Sequence, residues 1–263
     1  MALEDLYPGG DLPAMKALFP RADVPRGDAL GDRMKGYEDS WRISLPRRMP
    51  VVIRVDGKAF HTATRSCAKP FDLGLSSAMD AVAVELCEAI QGAVFAYVQS
   101  DEVSVLLNNY RTLETQAWFG NLLQKMVSVA ASVATAAFAG SKPHGMPRMC
   151  TFDARAFVLP ESEVANYFVW RQKDAVRNST MMVARSVFSQ KELQGVSCRD
   201  VEANLDARGI PLSSFQPGQL RGRAVSKEPG STWEVDRSIP LFWEDRLYVE
   251  RHIVVEDPVE EGY

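Results

Sequence analysis

Val94-Phe95-Ala96-Tyr97-Val98-Gln99-Ser100-Asp101-Glu102-Val103-Ser104-Val105-Leu106-Leu107 is the stretch on which the fold turns. Two β-rich runs, Val94–Val98 and Val103–Leu107, flank the polar group Gln99-Ser100-Asp101-Glu102, and this pattern is most simply a hairpin. Upstream, Leu75, Met79, Val82, Leu86 and Ile90 recur every three or four residues, which is the period of a helix, and Gly92 stops it. Further upstream Met49–Asp56 (MPVVIRVD) is a compact β-branched run suited to a buried strand. Downstream the spacing predicts a second long helix from about Gln116 to Phe138, ending before Gly140. A fourth strand follows over Arg148–Leu159, closed by Pro160. The order strand, helix, strand, strand, helix, strand is the split βαβ, ferredoxin-like arrangement, an antiparallel sheet with two helices on one face. Nucleotide polymerases and cyclases use it as a palm, and so do many unrelated proteins, so the fold class, α+β, leaves function open.

The remaining chain is read around that core. Residues 1–30 carry Pro8, Gly9-Gly10, Pro13, Pro20, Pro25 and Gly27, and are expected to be an irregular lead-in with at most a short helix near Leu12–Phe19. Residues 31–160 form the palm-like core. Residues 161–263 form a mainly helical lobe, beginning with one helix or two over Glu161–Val187. Phe188-Ser189-x-x-Glu192-Leu193 is a capping box with a hydrophobic staple, in which hydroxyl and carboxylate satisfy each other's free backbone amides. Ser197-x-x-Asp200 starts another helix, which Gly209 and Pro211 end.

Composition narrows the chemistry. The chain has 263 residues, 46% of them hydrophobic, enough for one generous core and too many for intrinsic disorder. Its longest apolar stretch, Met126–Ala139, is interrupted by Ser and Thr and falls short of the roughly 18 residues of a membrane span. The start, MALEDLYPGG, has no basic region followed by an apolar core, so no secretion signal is expected. A soluble, cytoplasmic protein with no membrane partner is therefore expected. The four cysteines never approach a C-x-x-C spacing and the three histidines are scattered, which disfavours zinc and a disulfide framework. A metal would have to be held by oxygen, which selects Mg²⁺, Mn²⁺ or Ca²⁺. The net charge of −4 is unevenly distributed: Arg33 to Lys69 is cationic, and Glu244 to Glu261 is acidic. A cationic N-terminal half could meet phosphates, or could simply be solvated surface.

The constellation with chemical content is Asp56, which ends the first strand, together with Asp101-Glu102 at the hairpin turn. In the split βαβ fold their strands are neighbours, so the carboxylates converge at one edge of the sheet. Clustered carboxylates raise one another's pKa unless a cation occupies the site, and hard oxygen ligands with room for water and phosphate suit Mg²⁺. Two such ions about 3.5–4 Å apart would bracket an in-line phosphoryl transfer. Strand-end and turn acids also arise for conformational reasons alone, so each taken singly is ordinary. Gly57-Lys58-Ala59-Phe60-His61 follows Asp56 directly, where successive backbone amides can turn toward an anion. It lacks the spacing of a Walker loop. Lys69-Pro70-Phe71-Asp72 adds a cation ahead of the first helix, whose start Asp72 could cap.

Several of these segments occur in order in one known family. Asp32-Arg33-Met34-Lys35-Gly36-Tyr37-Glu38, Ile53 through His61, Lys69 through Asp72, Ala96 through Glu102, Phe152-Asp153-Ala154-Arg155 and Tyr167-Phe168-Val169-Trp170-Arg171-Gln172-Lys173-Asp174 together resemble the tRNA-histidine guanylyltransferase family, over roughly residues 32–225. The resemblance implies a polymerase palm used in the 3′-to-5′ direction, with two Mg²⁺ ions held by Asp56, Asp101 and the Gly57 carbonyl and supported by Glu102. It implies that the backbone of Gly57, Lys58, Ala59, Phe60 and His61, with Lys69, Asp72 and Ser100 nearby, holds a nucleoside triphosphate. Arg155, Arg177 and Asn178 would lie near tRNA or a second nucleotide. ATP or GTP for 5′ activation, a tRNA or tRNA-like substrate and a homotetramer are further implications. In eukaryotic members Trp-Arg-Gln-x-Asp leads into His-Ile-Asn-Asn-Leu-Tyr-Asn; here Val176 stands where that histidine would be, and only Asn178 matches one of the asparagines. That departure looks like the bacterial and archaeal branch, which implies templated addition to 5′-truncated tRNA as a repair reaction. Addition of a single G to tRNA-His, a cyclase or forward polymerase, and a non-catalytic RNA-binding protein are the competing expectations.

Overall fold

The computed structural model describes residues 29–112 and 114–253, so the expected helix near Leu12–Phe19 and most of the acidic tail lie outside the described residues. The chain divides between Arg42 and Ile43 into two compact units. The first contains helix α1, Ala29–Asp39, which buries none of its side chains.

The second unit runs in chain order through strand β1 (Val51–Gly57), helix α2 (Phe60–Ala63), α3 (Leu73–Ala89), β2 (Ala93–Gln99), β3 (Glu102–Leu107), α4 (Leu123–Ser141) and β4 (Phe152–Val158). It continues through α5 (Glu161–Val187), α6 (Gln190–Leu193), α7 (Cys198–Ala207), α8 (Pro217–Arg221), β5 (Arg223–Ser226), β6 (Glu234–Asp236) and α9 (Leu247–Glu250). The strands form one sheet of order β4-β1-β3-β2-β5-β6, each neighbour antiparallel. Its first four members with α3 and α4 are the expected split βαβ palm. Side chains alternate across the pleat, so Val51, Ile53 and Val55 of β1 join the core under α3 and α4. Val52, with Phe95, Tyr97 and Leu106, faces the other way and is covered by Val164, Tyr167 and Phe168 of α5.

The structure departs from the expected outline in two places. Helix α4 begins at Leu123 and not near Gln116, because Trp118–Asn121 form a 3₁₀ turn in which Phe119, Gly120 and Asn121 have φ of 49°, 62° and 64°. It then runs through Gly140, where an added Cβ would meet nothing within 4 Å, to Ser141. So extended, it holds an 18-residue window of mean hydropathy 1.2, by length and composition enough to cross a membrane. In the structure Met126, Ala130, Ala134 and Phe138 form its inner face in the palm core. Second, the region expected to be mainly helical contributes β5 and β6, which extend the sheet beyond β2. Of the one helix or two expected over Glu161–Val187, α5 is a single 27-residue helix, lying on the sheet face opposite α3 and α4. The capping box at Ser189 and Glu192, the Ser197 cap and the positive φ of Gly209 (74°) are as the sequence leads one to expect.

Candidate active site

The edge of the sheet where β1 ends and β2 turns into β3 brings the acids together. Asp56 is opposite Glu102 across β1–β3 and opposite Asp153 across β1–β4. Two residues, Ser100 and Asp101, make the hairpin turn, and Ser100 takes φ of 47°. The Gly57 amide donates to the Asp101 carbonyl (3.1 Å), fastening the end of β1 to the turn. Ser100 Oγ donates to Asp101 Oδ1 at 2.9 Å. Burial raises the pKa of Asp101 most, the Ser100 hydrogen bond opposes this, and the Asp56 charge adds to it. Burial is also the largest cause of the raised pKa of Asp56, followed by the charges of Glu102 and Asp153; Arg155 and Arg54 act against them.

Glu102 has a different environment. Arg171 of α5 forks onto it, Nε to Oε1 and Nη2 to Oε2 both at 2.7 Å, with Gln99 Nε2 at 3.3 Å and Arg54 at 4.0 Å. Sequence reasoning quoted Arg171 and gave it no task. Asp153 was missed as well, although alternation along Phe152-Asp153-Ala154-Arg155 would put it on the Asp56 face of β4.

The loop after Asp56 is tighter than an anion cradle requires. An added Cβ on Gly57 would lie 2.4 Å from the Phe60 ring, which is itself held by Phe138 and Phe152 at centroid distances of 5.1 and 5.0 Å. The Gly57 amide is engaged with Asp101, and the Lys58 amide donates to the Thr151 carbonyl at 2.9 Å. The expected run of five amides therefore narrows to Ala59, Phe60 and His61, at the first turn of α2, where helix amides lack intrahelical acceptors.

A cleft of about 520 Å³ opens from this edge. It gathers Asp56, Phe60, His61, Lys69, Asp72, Ser100, Asp101, Glu102 and Asn178 from the expected set; Gly57, Lys58, Ala59, Arg155 and Arg177 are not in its lining. Lys69 Nζ donates to the Thr64 carbonyl at 3.3 Å. Asp72 caps α3: Oδ1 accepts from the Leu75 amide and Oδ2 from the Ala68 amide, each at 2.8 Å, and these bonds hold its carboxyl below the ordinary range. Arg155 is opposite Arg54 on β4 and reaches Asp153 at 3.3 Å. Arg177 and Asn178 both bond Asp174 on α5. The far wall comes from residues 218–223, to which sequence reasoning gave no role. The Leu220 carbonyl accepts from Ser179 Oγ (2.7 Å) and the Arg221 carbonyl from Tyr97 Oη (2.8 Å). The Arg223 guanidinium is buried against Asp80.

Among the described residues no group of three or more His, Cys, Asp or Glu side chains is arranged to hold a metal ion. The donors present are two carboxylates, Asp56 and Asp101, whose ionisation is disfavoured by burial and by each other. That is hard oxygen chemistry in which a divalent cation relieves the charge, provided water and phosphate supply the other oxygens, and it fits Mg²⁺.

Residues 31–160 match the family described as Thg1, tRNAHis guanylyltransferase. The chain is 46% identical to a bacterial tRNA(His) guanylyltransferase (Thg1)-like protein solved in complex with ATP, over 87% of this chain and 100% of that one, with a TM-score of 0.82. To a bacterial protein of the same description in complex with GTP it is 43% identical, with the same coverage and a TM-score of 0.74. The tRNA(His) guanylyltransferase of Schizosaccharomyces pombe is 33% identical over 153 residues, 56% of either chain, so the match spans about half the length of that relative.

Proposed function

Because the chain belongs to the tRNA(His) guanylyltransferase family, with relatives solved holding ATP and GTP, we propose that it is a Mg²⁺-dependent nucleotidyltransferase that adds nucleotides, under template direction, to the 5′ end of tRNA or tRNA-like RNA. The observation that carries this reading is the pairing of Asp56 and Asp101 through the Gly57–Asp101 hydrogen bond, at the mouth of a cleft with helix-start amides and Lys69 beside it. The amides of Phe60 and His61 and the Lys69 ammonium, which line the cleft, bind the triphosphate. Asp56 and Asp101 hold the cation and orient the reacting phosphorus toward the RNA end. Bound Mg²⁺ there supplies charge neutralisation and activation of the attacking oxygen. A 5′-monophosphate oxygen attacks the α-phosphorus of ATP or GTP and pyrophosphate leaves. The 3′-hydroxyl of the incoming nucleotide then attacks the activated 5′ phosphate and the nucleoside monophosphate leaves. Asp174, Arg177 and Asn178 on α5, and Arg155 on β4, form the surface toward the RNA. Val176 in place of the eukaryotic histidine favours repair over compulsory addition of one G. A homotetramer is part of the same proposal.

The test is incubation with a tRNA lacking its 5′-terminal nucleotide, Mg²⁺, and each labelled nucleoside triphosphate in turn. Incorporation following Watson–Crick pairing with the opposite acceptor nucleotide is the expected result, and Asp56→Ala should lower it about a thousandfold or more with the fold intact. G alone regardless of template would assign the single-addition reaction, and no incorporation would leave a binding protein on this fold.

A further inference from the structure

The three carboxylates at the sheet edge are not equivalent, and α5 makes the difference. Arg171 lies on the buried face of α5, 8% exposed, with its guanidinium forked onto both oxygens of Glu102. Nη2 is also 3.4 Å from Asp174 Oδ2, and the Trp170 ring lies 4.6 Å from the guanidinium carbon. The side chains that bond or ion-pair with the Glu102 carboxylate among the described residues, Arg171, Gln99 and Arg54, all donate or carry positive charge. By contrast, among the described residues the Asp56 carboxylate makes no hydrogen bond or ion pair, and Asp101 accepts from Ser100 Oγ and its own backbone amide, with no cation forked onto it. A planar fork takes one lone pair on each carboxylate oxygen and places a fixed positive charge against them, and with Gln99 also on Oε1 it disfavours a cation there.

Resting on the functional reading above, we propose that Arg171 is a positioning residue that reserves Glu102 and keeps it out of the cation site. Only Asp56 and Asp101 then face the metal, which is a weak set by itself. The cation is retained when a nucleoside triphosphate supplies further oxygens, so metal loading is coupled to nucleotide arrival. The fork also anchors Asp174, and through it Arg177 and Asn178, so one guanidinium joins the carboxylate edge to the α5 surface assigned to RNA.

The test measures Mn²⁺ binding to the full chain by water-proton relaxation enhancement, which separates protein-bound Mn²⁺ from Mn²⁺–GTP free in solution, with and without GTP, and does not depend on turnover. The parent should bind Mn²⁺ much more tightly with GTP than without. Asp56→Asn or Asp101→Asn should weaken binding in the presence of GTP by about tenfold or more, whereas Glu102→Gln should leave it within about twofold. Arg171→Met should strengthen nucleotide-free Mn²⁺ binding about tenfold by releasing Glu102, and E102Q combined with R171M should remove that gain. Weakening by Glu102→Gln equal to that of the aspartate variants overturns the inference, and this comparison decides it even where Arg171→Met does not fold. Unchanged nucleotide-free binding in a folded Arg171→Met overturns it as well. A parent that binds no Mn²⁺ with GTP overturns the functional reading itself.

Discussion

Asp101 sits in the second position of a two-residue turn, where burial and the nearby Asp56 raise its pKa above that of a free carboxylate. The sign of its effect on stability follows. A carboxyl whose folded pKa exceeds its unfolded value binds more protons in the native state, so stability falls as pH rises from the ordinary carboxylate range through the raised pKa. Above that window the ionised group opposes folding. Asp101→Asn keeps the size of the side chain and an acceptor for Ser100 while removing the charge. In a chelator at neutral pH it should therefore raise the thermal midpoint by a few degrees and lose incorporation, whereas Mg²⁺ with GTP should stabilise the parent. A lower midpoint for the variant in differential scanning calorimetry would contradict the assignment. These acids were legible in the sequence because their strands are local and their positions follow from alternation. Arg171 was not: its partner Glu102 is 69 residues away, and their meeting depends on how α5 crosses the sheet.

Among the elements, those with strong local signals stand where the sequence places them. The hairpin has β-branched and aromatic runs on either side of a short polar turn, and α3 has its apolar period, its Asp72 cap and Gly92 with φ of 84° beyond it. The start of α4 was hidden because Trp118–Asn121 turns by left-handed backbone conformations that apolar spacing does not reveal. Strands β5 and β6 escaped because they have four and three residues and owe their place to pairing, β5 on β2 and β6 on β5, rather than to their own pattern. The corner before β5 is nevertheless specified closely. Gly222 has φ of 81°, and a Cβ there would lie 2.5 Å from Tyr97 Oη and 2.6 Å from the Val98 carbonyl. Gly222→Ala should cost about 2–4 kcal/mol in urea denaturation, combining backbone strain with overpacking, and should weaken GTP binding by displacing Leu220 and Arg221. A loss below about 1 kcal/mol would mean that the corner gives way.

At the scale of the molecule, a palm sheet closed by α3 and α4 on one face and α5 on the other holds a cleft whose two sides come from distant parts of the chain. The carboxylate side was legible, because residues 56 and 101 lie within the split βαβ pattern; the opposite side was not, because it has no motif of its own. The proposed assembly is tested separately from the chemistry: light scattering at micromolar concentration should give four times the chain mass, and a monomer would contradict it.

The far wall has a consequence for biosynthesis. Asp101 leaves the ribosome well before Gly222, an interval on the order of ten seconds at typical elongation rates. Once β4 has emerged, the nascent palm can present Asp56 and Asp101 without Leu220, Gly222 and Arg223 on the far side of the cleft. On the proposed function, a chain still tethered to the translation machinery, and surrounded by tRNA, does not close its cleft around a triphosphate until synthesis has passed β5.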